Sequence, residues 1–85
     1  MHDLHAADRI LKDVLAAAQK NQLKNVKKIV LELGTIIEHG AEILPENLRF
    51  NIESLARGTL AAGAIVEIRP GAGSALTIKE IEGDR

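Results

Sequence analysis

Between positions 4 and 20 the apolar residues Leu4, Ala7, Ile10, Leu11, Val14, Leu15 and Ala18 recur at intervals of three and four, with Asp8, Arg9, Lys12, Asp13 and Gln19 between them. That period predicts an amphipathic helix. Asp3 stands before it, where its carboxylate can accept first-turn amide hydrogens, and Lys20 suits the opposite end of the dipole. NQLKN is a polar turn, and VKKIVLEL then alternates, with Ile29, Leu31 and Leu33 on one face and Lys28, Val30 and Glu32 on the other. This is a strand covered on one side. Gly34 ends it, and the segment to Leu44 follows neither period, so a semi-ordered loop is expected there. Pro45 opens a second helix with a stripe of Leu48, Ile52, Leu55 and Ala56, which Gly58 can close. Phe50 lies opposite that stripe. It either shelters under the 34–44 loop or faces a partner.

The last third reads AIVEIRP, GAGS and ALTIKEIE. Two alternating strands around a short glycine-rich connection predict a β-hairpin. One face gathers Ala64, Val66, Ile68, Leu76 and Ile78; the other carries Ile65, Glu67, Arg69, Thr77 and Lys79. The expected fold is an α+β two-layer sandwich of order αβαββ, with both helices on one face of a three-stranded sheet. A right-handed crossover through the second helix makes the first two strands parallel if they are neighbours, and the sheet mixed.

With 85 residues, the chain is read as a single domain over positions 1–85. It contains no cysteine, so neither a disulfide framework nor a thiolate zinc site supports it. Basic and acidic residues number 11 and 12 and are interspersed, leaving a net charge of -1 and no field to attract a phosphate backbone. Phe50 alone cannot form a base-stacking platform, and nucleic acid is therefore not an expected partner. No basic-then-apolar leader and no apolar run of about 20 residues is present, so no membrane association is expected and a cytoplasmic protein is read. The GAG run at 71–73 joins strands rather than opening a helix, so it is no phosphate cradle. The serines lack a nearby histidine and the carboxylates read as surface, which argues against an enzyme.

The chain opens MHDLH, which sets an imidazole one peptide bond from a free amine. Taken alone, that arrangement suits either a metal site or an ordinary solvated terminus.

MHDLHAADRIL, VKKIVLELG, PENLRFNIESLARGTLAAGAIVEI and ALTIKEIE resemble, in order, the HypA/HybF family of nickel-insertion proteins for hydrogenase and urease. The most specific elements are the Met-His-acid start and the P-E-x-L-R-F helix followed by G-T-x-x-x-G-A. The resemblance implies a metallochaperone whose nickel site uses His2 and its acidic neighbour, Asp3 standing where Glu is usual. Ni(II) favours square-planar nitrogen donors, and the Met1 amine, the His2 peptide nitrogen and the His2 imidazole supply three. The fourth would be the Asp3 peptide nitrogen or carboxylate, or an imidazole from elsewhere. His5 and His39 are weaker candidates for it, being more readily read as solvated side chains. In the family a zinc module built on two C-x-x-C pairs precedes the final strand; here PGAGS, the turn at 70–74, takes its place, and no zinc is expected. Implied partners are the large subunit of a nickel enzyme and the family's maturation GTPase, with room for a homodimer. The competing reading is a docking module that keeps the fold and has lost metal delivery, for which Ile36, Ile37 and Phe50 would provide the contact surface.

Overall fold

The sheet is built around its first strand. The structure is a computed structural model; it describes the backbone of residues 2–38 and 40–85, and their side chains other than those of residues 2–4 and 38. Helix α1 (His2–Lys20) leads to β1 (Lys28–Leu33), then a small ribbon of β2 (Ile37–Glu38) and β3 (Ala41–Glu42), helix α2 (Pro45–Ala56), β4 (Ile65–Pro70) and β5 (Leu76–Glu82). The strand order is β4-β1-β5, with β4 parallel and β5 antiparallel to β1. The mixed sheet and two-helix layer agree with the pattern.

The expected hairpin is not formed. AIVEIRP and ALTIKEIE flank β1 on opposite sides, and the connection between them crosses the end of β1, where Gly71 donates to the Leu33 carbonyl and Gly34 to that of Ala75. Alternation assigns a face to each side chain but does not say which strand is the neighbour. The close crossing is the reason for glycine at 34: a Cβ there would stand 2.5 Å from the Gly73 carbonyl oxygen. The 34–44 segment is also more regular than expected. Its ribbon turns at Gly40, whose φ is +81°, and Ile43 is bonded to Ile36 and buried.

Cross-strand pairs Ile29–Ile81, Leu31–Ile78 and Leu33–Leu76 lie on the helix side. Ile81 reaches that side because the register shifts between Val30 and Leu31, and this bulge turns Glu80 back to the outer face. Ala7, Ile10, Leu11, Val14 and Ala18 of α1 and Leu48, Ile52 and Ala56 of α2 complete one aliphatic core. On the outer face Val30 is only 1% exposed, without a covering layer. The side chains beside it are long and charged: Lys28 pairs with Glu67, and Glu67 with Arg69. Their methylene stems can shelter a small branched residue while the charged ends stay in water.

Helix α1 begins at His2, so Asp3 lies within its first turn rather than ahead of it. Helix α2 begins at Pro45 without a side-chain cap, and Phe50 is 66% exposed, which rules out shelter under the preceding loop. Gly58 follows the end of α2 in the left-handed conformation expected of it, and Thr59 reinforces the stop: its hydroxyl donates to the Ala56 carbonyl at 2.6 Å and accepts the Ala61 amide at 3.1 Å. Gly58 and Gly63 adopt positive φ on either side. The G-T-x-x-x-G-A segment is thus a built turn that delivers the chain to β4.

Candidate metal centre

Positions 2 and 3, expected to supply metal donors, belong to a helix whose position is fixed by packing. Ala6, Ala7, Ile10 and Leu11 are buried against the sheet and α2, anchoring the first turns of α1. An α-helix leaves its first four N–H groups without an intrahelical acceptor. With α1 beginning at His2, the peptide nitrogens of His2 and Asp3 belong to that set. Loss of the His2 amide proton to a metal therefore breaks no helical hydrogen bond. An acidic residue in the first turn also complements the positive end of the dipole and helps offset an added cation.

Met1 and His39 lie outside the described residues, as do the side chains of His2 and Asp3. His5 is exposed and follows position 2 at the i+3 spacing, at which helical positions are neighbours. The β2–β3 ribbon follows β1 at the Leu33 end of the sheet. Glu42 of that ribbon is exposed. A hollow of about 260 Å³ at this end is lined by Gly34, Thr35, Glu42, Pro45 and Arg69, among others. Among the described residues no three His, Cys, Asp or Glu side chains converge to hold a metal ion.

Electrostatic perturbation is concentrated elsewhere. Arg69 and then Lys28 hold the Glu67 carboxyl below the usual range, and Lys27 and the Asn25 amide do the same for Asp84. Glu80 is raised, chiefly by the neighbouring Glu82 carboxylate. All three are surface groups remote in sequence from MHDLH. No helix among the described residues is long and apolar enough to cross a membrane.

The described residues form a two-layer α+β domain whose first helix, like any α-helix, opens on amide nitrogens without intrahelical acceptors. A family model described as "Hydrogenase/urease nickel incorporation, metallochaperone, hypA" matches residues 1–82. The chain belongs to this HypA family, whose members are metallochaperones and not enzymes. Hydrogenase maturation factor HypA of Dechloromonas aromatica is 35% identical over 75 residues, covering 86% of this chain and 63% of that protein. Its counterpart in a Bradyrhizobium species is 36% identical, over 88% and 63%. This chain thus spans less than two thirds of the length of these curated relatives. The solution structure of the Ni metallochaperone HypA from Helicobacter pylori superposes with a TM-score of 0.69 at 16% identity, over 94% of this chain and 72% of that one, which shows the shared fold.

Proposed function

We propose that this chain carries Ni(II) at its N-terminus during maturation of a nickel enzyme, hydrogenase or urease. The observation that carries the reading is the start of α1 at His2, which leaves the His2 amide free to ionise beside the Met1 amine and the His2 imidazole. Asp3 supplies the fourth donor or compensating charge, with His5 and His39 as alternative donors. Binding displaces the amide proton and any proton on the amine, and affinity falls as pH drops through the range where imidazole and amine protonate. The cargo passes to the enzyme's large subunit, with the family's GTPase as the second partner, in the cytoplasm. In this reading the PGAGS turn at 70–74 stands in for the family's zinc module, and the α/β domain should fold without zinc.

Calorimetric nickel titration tests this reading on three proteins: untagged, extended by one N-terminal residue, and His2→Ala. The extension turns the amine into an amide. Both altered proteins should lose about tenfold or more in affinity, about 1.4 kcal/mol per decade, with unchanged circular dichroism. Equal affinity in all three would contradict a terminal site. It would favour the docking-module reading, for which the exposed Ile37 and Phe50 speak.

A further inference from the structure

Where the two helices close, the surface carries an open hollow of about 840 Å³. Its lining comes from Leu15, Gln19, Gln22 and Leu23 of α1 and the turn after it, and from Thr59 and Leu60 of the turn after α2. Both turns are held by hydrogen bonds. The Leu60 carbonyl accepts from the Val26 amide at 2.8 Å, Thr59 is bonded to Ala56 and Ala61, and Asn21 and Leu23 are bonded back onto α1. Leu15 and Leu23 lie partly buried against the core, and Leu60 is 43% exposed. The hollow is therefore a preformed, partly apolar floor with room for several aliphatic side chains.

Two further features mark the same place. Gln22 stands at φ +60°, while every other positive φ among the described residues belongs to a glycine. Leu23 donates to the Ala18 carbonyl and Gln22 to that of Gln19, a helix stop that ordinarily takes glycine at the left-handed position because a Cβ is disfavoured there. The side chain kept at that cost lines the hollow. Charge is the second feature. From Val14 to Leu31 the chain carries four lysines and no acid, and from Ser54 to Val66 one arginine and no acid. Lys27 and Lys28 are committed to Asp84 and Glu67. Lys20, Lys24 and Arg57 are exposed, each adjoins a lining residue in sequence, and among the described residues none of them enters an ion pair. The helix ends offset only about half a charge each, so the rim stays positive.

We infer that this hollow docks an acidic amphipathic helix of a partner protein. Its aliphatic stripe rests on Leu15, Leu23 and Leu60, and its flanking carboxylates face Lys20, Lys24 and Arg57. A helix fits because no strand edge lines the hollow, so an extended segment would leave its main-chain groups unpaired, whereas a helix satisfies its own. The Gln19 and Gln22 amides can donate to the partner's carboxylates or to its last helical carbonyls. A bilayer surface is flat and would span a concave floor without filling it. A second copy of this chain has no such helix to offer, since the apolar stripes of α1 and α2 are spent on their own core. Opposite charge around an apolar seat selects the partner and speeds its arrival more than it tightens the complex.

The probe is a synthetic helix, stapled on its outer face, with leucine at every third and fourth position and glutamate on both flanks. Titrated into the full chain and followed by amide NMR, it should shift Gln19, Gln22, Leu23, Thr59 and Leu60 saturably, and more strongly at low salt. The same helix with lysine for glutamate should not. Leu60→Asp should abolish the shifts with circular dichroism unchanged, and joint Lys20→Glu and Lys24→Glu should weaken binding about tenfold or more, with the salt dependence lost. Gln22→Gly is the sharpest variant: it relieves the left-handed backbone, so Tm should hold or rise while binding weakens. A side chain kept only for folding would give the opposite result. Shifts absent or centred elsewhere, equal binding of the lysine helix, or wild-type binding by Gln22→Gly would each overturn the proposal. So would the same shifts produced by vesicles of phosphatidylserine and phosphatidylcholine, or by raising the protein concentration alone.

Discussion

The two ends of α1 have opposite characters. At the closing end Asn21 donates to the Ala17 carbonyl through both its main chain and its side chain, and Leu23 donates to Ala18. Lys24 donates to the Asp84 carbonyl, Asp84 returns a bond to the Asn25 side chain at 2.9 Å, and Lys27 pairs with the Asp84 carboxylate at 3.0 Å. The strap is drawn so tight that a Cβ on Gly83 would collide with the Asn25 carbonyl oxygen. At the opening end His2 and Asp3 follow Met1, and the first-turn amides are not spent on the helix. Stability is thus vested in one end and candidate chemistry in the other. The difference makes the two separable by mutation.

The most severe test is truncation after Gly73, which removes β5 and the strap together and exposes one edge of the central strand β1. The product should be insoluble or unfolded by circular dichroism; a soluble protein with unchanged Tm would refute the central placement of β1. Next in size, Leu31→Ala hollows the centre of the core and should cost about 2–5 kcal/mol in denaturant unfolding, while nickel stoichiometry of the folded protein stays as it was. Gly34→Ala forces a methyl against the Gly73 carbonyl and should cost about 1–3 kcal/mol, again without touching nickel affinity. If either substitution weakened nickel binding in protein still folded by circular dichroism, the separation of the two ends would fail.

The smallest effect is expected from pH. Asp84 and Glu67 have lowered values, so their contribution to stability is full above the ordinary carboxylate range and is lost as pH falls through their folded values. Glu80, raised by Glu82, acts in the opposite sense: the folded state takes up its proton first, and acidification relieves a repulsion. Asp84→Asn should slightly lower Tm near neutrality and flatten the acid limb of Tm against pH. Glu80→Gln should slightly raise Tm near neutrality. An Asp84→Asn protein with the wild-type acid limb would show that the strap is held by its main-chain bonds alone.

Periodicity was enough to find both helices, all three long strands and the face each buries, because burial writes a period of 3.6 or 2 into the sequence. Strand adjacency left no such trace. The order β4-β1-β5 depends on which edges of β1 are free, and GAGS looked like a hairpin turn although it spans the width of β1. The bulge was signalled by Ile81, which breaks the alternation set by Leu76 and Ile78; a strict period of two would have put Glu80 in the core. Val30 was placed on the outer face correctly, but its burial under charged neighbours cannot be read from its own position. Thr59 left a weak signal as a hydroxyl residue between a helix end and a glycine-rich turn. For the site, residue types and the resemblance named Met1, His2 and Asp3. What the fold adds is where α1 begins, and hence which amides are free to ionise.

The terminal-nitrogen account is tested most directly by the optical spectrum of the nickel-loaded protein. Untagged protein with stoichiometric Ni(II) should show the absorption of square-planar nitrogen ligation and release protons on binding. The same protein extended by one residue should show only weak, octahedral nickel, with Tm unchanged. A square-planar spectrum that survives the extension would contradict the account, because the Met1 amine would then not be a donor.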